Sequence, residues 1–264
     1  MDNDLTVLPV RPDDDVFTID RDLPDILDRP PFVQVMIGSR GSGKTVMLAN
    51  TALRSKFYGD RKNEAPVFED IIIFSGTLGC ESSARHLVEK ASACYSSYSN
   101  EAVDAIIEYQ KAKPKEDRRH ILIIADDIAS LGIKRDDSLF TLPSLHRHFL
   151  LSMVFLVQSP RMVPPIVRNC FTSAYIFRMP NASELEKIFI DFSFLGGRRD
   201  VKALYEASTN KPYQCMVVDA VGNKVYKWGG TLQPTLLWSK FTEDGGYAPP
   251  FRSGKESEPD AEDE

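Results

Sequence analysis

With 264 residues, 42% of them apolar, the chain can bury one sizeable α/β core with additional elements, whereas two full domains would be cramped. Its net charge of −6 divides unevenly: residues 1–31 carry nine acidic against three basic side chains and residues 255–264 six against one, which leaves 32–254 with 28 Lys/Arg against 23 Asp/Glu. A body at +5 between acidic ends can meet a polyanion, but it lacks the clustered basic signature of a dedicated base reader, and a solvated mixed-charge surface is the competing reading.

The first 31 residues, with five prolines and the run Asp13-Asp14-Asp15, read as an extended acidic arm. They hold no apolar segment suited to secretion. The apolar run Phe32–Ile37 that follows is a candidate buried strand, and it leads into Gly38-Ser39-Arg40-Gly41-Ser42-Gly43-Lys44-Thr45. These eight residues fit G-x-x-x-x-G-K-[ST] in full, and residues 44–57 after them read as a helix, the context that the motif requires. Backbone N–H groups of such a loop face phosphates at a helix N-terminus, Lys44 brings positive charge, and Thr45 offers a hydroxyl to Mg²⁺.

Further strands are expected at Asp70–Phe74, Ile121–Ala125, Ser152–Val157, Ala174–Phe177 and Gln214–Val218. Between them, helices are expected near Glu81–Ser92, Glu101–Ala112, Leu139–His148, Ser183–Asp191 and Asp200–Glu206. Ser183, three residues before Glu186, reads as a capping box. The alternation predicts a mostly parallel sheet with helices on both faces, in a domain spanning 32–246. Val217–Trp228 reads as a C-terminal β-hairpin turning at Val221-Gly222-Asn223. From about Tyr247 the chain is acidic and poor in apolar residues, and a disordered tail over 247–264 is expected.

The strand Ile121–Ala125 ends in Asp126-Asp127 and resembles a Walker B strand. Its position assigns Asp126 to the metal and Asp127 to the attacking water, although an Asp pair can also simply open a turn before Gly132. Gln158 closes the next apolar strand. In the additional-strand class of P-loop ATPases a polar residue there touches the γ-phosphate and the water; Gln158 resembles it, and a strand-end Gln satisfying a turn is the alternative. Asn210-Lys211-Pro212-Tyr213 lacks the Asp of a guanine-reading N-K-x-D motif, so ATP is preferred by elimination.

Cys80, Cys94, Cys170 and Cys215 form no C-x-x-C pair and share no metal-site spacing with His86, His120, His146 or His148, which fits a reducing compartment without a structural zinc. The longest apolar stretch, Phe149–Val157, falls well short of the roughly 20 residues that span a bilayer.

Taken in order, these features resemble the genome-packaging ATPases of nucleocytoplasmic large DNA viruses, the vaccinia-type branch of the FtsK/HerA translocases. The resemblance covers roughly residues 30–220. It is carried by Gly38–Thr45, Asp126-Asp127, Leu145-His146-Arg147-His148 before the strand ending at Gln158, and Pro164-Pro165-Ile166-Val167-Arg168-Asn169. It implies a RecA-like P-loop NTPase fold of the additional-strand class, with ATP and Mg²⁺ as cofactors. It also implies a homo-oligomeric ring driving double-stranded DNA into a preformed capsid without reading its sequence. Capsid or portal proteins are the implied partners, with inner-membrane association through them, in the virion and at cytoplasmic assembly sites of the infected cell. Arg168 is similar to the arginine finger that reaches a neighbour's γ-phosphate, an ordinary ion-pairing arginine being the alternative. Arg147 and His148 match a family feature without a derivable chemistry, and Arg198-Arg199 could touch DNA in a pore or cover a helix start. One departure is Asp127, where the family often has Glu. A DNA-repair or replication translocase of the same fold, and a virion assembly factor that binds ATP without processive motion, are the competing functions.

Overall fold

The computed structural model describes residues 21–77, 84–128, 131–134, 137–243, 246–249 and 251. Cys80, most of the acidic N-terminal run and the last thirteen residues lie outside them. In chain order the elements are β1 (Val33–Ile37), α1 (Lys44–Leu53), β2 (Asp70–Phe74), α2 (Arg85–Lys90), β3 (Ala93–Tyr95), α3 (Asn100–Lys111), β4 (Ile121–Asp126), α4 (Ser138–Thr141), β5 (Leu151–Val157), α5 (Pro165–Arg168), β6 (Ser173–Phe177), α6 (Ala182–Asp191), α7 (Arg198–Ser208), β7 (Cys215–Asp219), β8 (Lys224–Gly229) and β9 (Thr231–Ser239).

All nine strands join one sheet in the order β3-β2-β4-β5-β1-β6-β7-β8-β9. The first six are parallel, and β7, β8 and β9 extend the sheet in antiparallel fashion from β6. Parallel strands need long crossovers, and helices supply them, so both faces are covered and the central strands are predominantly apolar. Along β1 the side chains alternate: Val33, Val35 and Ile37 join a core with α3, α6 and α7, while Met36 faces the opposite core with α1 and α2. Every residue of β1, β4, β5 and β6 is buried. β5 lies between β1 and β4, with Val35 level with Phe155 and Ala125 level with Phe155 from the other side. A strand therefore separates the phosphate-loop strand from the acid-bearing strand, as the additional-strand class requires.

Four expectations are corrected. The stretch Leu139–His148 is not one helix: α4 stops at Thr141 and tight 3₁₀ turns follow over Leu142–Ser144 and His146–Phe149, because Pro143 has no N–H to donate to Leu139. Asn181, not Ser183, caps α6, its side-chain oxygen accepting from the N–H groups of Ser183 and Glu184, and Glu186 instead pairs with Arg198. The expected arm over 1–31 does not stay off the body in its described part: Leu23, Ile26 and Leu27 are buried in the core on the α1 side. Nor does packing end at Tyr247, which bridges back to Phe241, while Trp238 Nε1 donates to Pro249 O.

Arg21 and Asp28 anchor that first segment. Arg21 Nη2 donates to Gly59 O at 2.6 Å and to Ser55 O at 3.2 Å. Asp28 remains partly accessible as a residue, but its carboxyl is enclosed at the start of β1 and β6. Its Oδ2 accepts from Gln34 Nε2 (3.0 Å), Thr172 Oγ1 (2.8 Å) and Ser173 Oγ (2.6 Å). Burial raises the Asp28 pKa above its ordinary value, outweighing these bonds, which act in the opposite sense.

Candidate nucleotide site

The parallel strands end on the same side, so the loops after β1, β2, β4 and β5 share one rim of the sheet, where open α/β sheets bind ligands. A cleft of about 670 Å³ opens there. Residues 40–45 form its floor, with Asp126 and Asp127 from the end of β4 and Gln158 from the end of β5 on its sides.

The loop has the shape of a phosphate cradle. Gly38 leaves β1 so close to its surroundings that a Cβ would sit 2.7 Å from Ser42 Oγ and 2.8 Å from Phe177 Cβ, so no side chain fits. Gly43, at φ 102, delivers the chain into α1, whose first turn carries no acidic residue to compete for an anion. Ser42 Oγ is buried without a hydrogen-bond partner among the described residues. Lys44 Nζ donates to Gly38 O at 2.6 Å and Ser39 O at 3.0 Å, folding its charge over the loop. A helix N-terminus, a glycine cradle, an unmatched hydroxyl and an ammonium group together suit a polyphosphate.

Asp126 is 9% exposed and is fixed by hydroxyls from the end of β2: Ser75 Oγ donates to its Oδ2 at 2.9 Å, and Thr77 Oγ1 approaches the same oxygen at 3.4 Å. Asp126 and Thr45 line the same cleft. A carboxylate, an alcohol and phosphate oxygens make the hard-oxygen donor set that Mg²⁺ takes. Asp127 follows at φ 49, a left-handed conformation uncommon outside glycine, at the point where β4 breaks off. Gln158 is exposed to the cleft. The loop behind it is tied to α6 by a hydrogen bond from Ser159 Oγ to Glu184, whose carboxyl is held below its ordinary range first by Lys187 and then by Ser159.

Arg168 does not join this group. It ends α5, and its Nη1 donates to Asp191 Oδ2 at 2.7 Å, at the end of α6. Crossing back from β5 to the start of β6, α5 carries Arg168 toward the opposite rim, shortly before Thr172 and the Asp28 carboxyl. Arg147 and His148 are exposed on a 3₁₀ turn, also outside the cleft. Residues not anticipated from sequence also line the cleft: Asn50, Arg54, Thr77, Tyr213, Gly229 and Gly230. Ser75 and Thr77 had a signal, being polar residues directly after an apolar strand. Tyr213 lies in the segment that lacks the guanine-reading Asp, which gives no hint of a place in the cleft.

A phosphate loop after β1, an acidic pair after β4 and a polar residue after the intervening β5, on a mostly parallel sheet, define a P-loop NTPase of RecA-like fold in the additional-strand class. The sequence profile of the Poxvirus A32 protein family matches residues 86–227, over half the chain. The chain belongs to that family. Its phosphate loop precedes the matched residues and stands on its own motif and geometry. Among solved structures, the fold is similar to the genome packaging NTPase B204 from Sulfolobus turreted icosahedral virus 2 in complex with AMP, at 15% identity over 74% of this chain and 96% of that one, with a TM-score of 0.52. The ATP-γS complex of the same protein superposes at a TM-score of 0.52 and 15% identity, over 77% and 99% of the two chains. B204 from Sulfolobus turreted icosahedral virus, the DNA-packaging ATPase, does so at 0.52 and 15% over 78% and 97%. No curated protein matches the chain by sequence. No helix among the described residues is long and apolar enough to cross a membrane.

Proposed function

We propose that this chain is an ATP-driven double-stranded DNA translocase that packages a viral genome into a preformed capsid, acting as a homo-oligomeric ring. The observation that carries this reading is the meeting of Lys44, Thr45, Asp126, Asp127 and Gln158 in one cleft of a Poxvirus A32 family member. Its fold likeness to a viral genome packaging NTPase points the same way.

In this reading Lys44 exchanges the carbonyls of Gly38 and Ser39 for phosphate oxygens, and the N–H groups of residues 41–45 close around them. Thr45 and Asp126 would hold Mg²⁺, with Ser75 and Thr77 keeping the carboxylate aimed. Mg²⁺ held there would supply positive charge to offset the negative charge that develops on the phosphoryl group. Asp127 accepts a hydrogen bond from the attacking water and takes its proton, while Gln158 holds the same water in line with the γ-phosphorus. Catalysis comes mainly from positioning and charge, and Arg168, turned away from its own cleft, supplies a guanidinium to the next subunit's γ-phosphate. Duplex DNA is held through its phosphates by the mildly basic body, without base reading. Capsid or portal proteins, and through them a viral inner membrane, are the partners at cytoplasmic assembly sites and in the virion.

The test is the ATPase rate of the full chain with and without long duplex DNA, beside Lys44→Ala. DNA should stimulate turnover, steeply less so as salt rises. Lys44→Ala should keep its thermal unfolding profile and lose Mg²⁺·ATP binding. A folded Lys44→Ala protein with unchanged affinity and turnover would overturn the site, and turnover indifferent to DNA would favour an assembly factor over a motor.

A further inference from the structure

Beside the phosphate cradle, the cleft is lined by residues with no part in phosphate or metal chemistry. Tyr213 stands out among them. It is 64% exposed although aromatic, and its backbone lies at φ 60, a left-handed conformation that is an outlier for a bulky residue. Such strain persists only where the surroundings enforce it. Here they do. Lys211 N donates to Gln214 Oε1 at 3.2 Å across the turn that presents Tyr213, and Lys227 Nζ on β8 donates to Asn210 Oδ1 at 2.8 Å just before it. The β8–β9 turn then presses on the Tyr213 backbone: a Cβ on Gly229, at φ 107, would lie 2.2 Å from Tyr213 O, so only glycine permits this approach.

Held in this way, the Tyr213 ring reaches the phosphate loop itself. A Cβ built on Gly43 would lie 3.4 Å from Tyr213 Cδ1. Three residues further along α1, on the same helix face, Val46 is 48% exposed, followed by Asn50 and, past the helix end, Arg54. Asn50 is tied down, with Nδ2 donating to Val46 O at 2.7 Å and Oδ1 accepting from Arg54 Nε. Among the described residues lining the cleft, Tyr213 and Val46 are the exposed large apolar side chains.

We propose that Tyr213 is the nucleobase platform of this site: the base of the bound nucleoside triphosphate stacks on the Tyr213 ring, with Val46 bordering the slot and the β8–β9 turn holding the ring in place. The inference rests on the nucleotide-site reading above and adds the subsite for the base. Stacking engages the face of a base, which every base has, so this subsite adds affinity without selecting adenine over guanine. The antiparallel extension of the sheet thereby acquires a role in ligand binding.

Equilibrium binding of ATP, GTP and inorganic tripolyphosphate to the full chain tests this. Loss of a base–aromatic stack weakens binding by roughly five- to a hundredfold. Tyr213→Ala should lose that factor for ATP and GTP alike and bind tripolyphosphate within about twofold of the parent, while Tyr213→Phe should match the parent for all three. Tripolyphosphate also reports that the cradle of the Ala variant is intact. Unchanged ATP affinity in Tyr213→Ala would place the base elsewhere. Equal losses of ATP and tripolyphosphate would make Tyr213 a support of the phosphate loop and overturn the proposal. A parent protein that binds neither ATP nor tripolyphosphate would instead sink the nucleotide site itself, an outcome distinct from either.

Discussion

The two rims of the sheet solve opposite problems. At the rim where β1 and β6 begin, the Asp28 carboxyl is enclosed and its Oδ2 takes three side-chain hydrogen bonds, joining the first described segment to two central strands. At the rim where those strands end, polar side chains sit half-exposed around a cleft, and Gly41, Gly43, Asp127 and Tyr213 all hold positive φ. The Asp28 cluster is satisfied within the chain, and the cleft leaves exposed polar groups where a ligand would use them. Function and stability should therefore come apart by rim.

Arg168 is the sharpest challenge to that division, since it belongs by position to the inward-bonded half yet is assigned a catalytic part. Arg168→Ala should bind Mg²⁺·ATP normally and lose about 10³- to 10⁵-fold in turnover if it serves a neighbour. Mixing it with Lys44→Ala subunits should restore part of the rate. Mixed rings that form without recovering activity would leave Arg168 as the ion-pair partner of Asp191 and nothing more.

Within the cleft, the division of labour in the acidic pair can be separated by measuring binding and turnover together. Asp127→Asn should retain Mg²⁺·ATP and lose about 10²- to 10⁴-fold in rate, whereas Asp126→Asn should weaken the Mg²⁺-dependent part of binding. Equal loss of binding in both would merge the two roles.

At the other rim, Asp28→Ala should cost about 2–4 kcal/mol of stability by stranding the donors of Gln34, Thr172 and Ser173, with ATP affinity of the folded fraction unchanged. The sign of its pH dependence follows from the raised pKa. The folded state holds the Asp28 proton to higher pH than the unfolded chain does, so this group favours folding most below about pH 4 and loses that contribution as pH rises through its folded value, by at most about 1.4 kcal/mol per pH unit. Asp28→Asn should flatten that part of the stability profile, read from urea unfolding across pH. The mildest change is Ser75→Ala. With Thr77 still near Asp126, it should weaken the Mg²⁺ dependence of nucleotide binding by about tenfold or less, leaving unfolding unaltered.

Much of this arrangement was legible in the sequence because its central strands are buried on both faces and read as largely apolar runs; β2 spans Asp70–Phe74 as expected, and β4 exceeds its expected span by Asp126 alone. The sheet edges were not. β3 is short and largely exposed, and β9 contains Pro234, which cannot donate to a ladder and is tolerated at an edge, so neither shows an apolar pattern. In the site, residues 40–45, Asp126, Asp127 and Gln158 reach one cleft, whereas Arg147, His148 and Arg168 do not line it. Those that were missed, Ser75, Thr77, Tyr213 and Gly229, come from loops far apart in the chain. Their position depends on which strands are neighbours, and no local spacing encodes that.

The insertion of β5 between β1 and β4 has a metric consequence. Adjacent strands lie about 4.8 Å apart, so the end of β4 stands roughly 9.6 Å from the end of β1 across the sheet. That span is a lattice constant of hydrogen-bonded backbone and cannot drift as a loop can. The gap between cradle and acid is thus gauged by the sheet, and Gln158, at the tip of the intervening strand, is set on its midline.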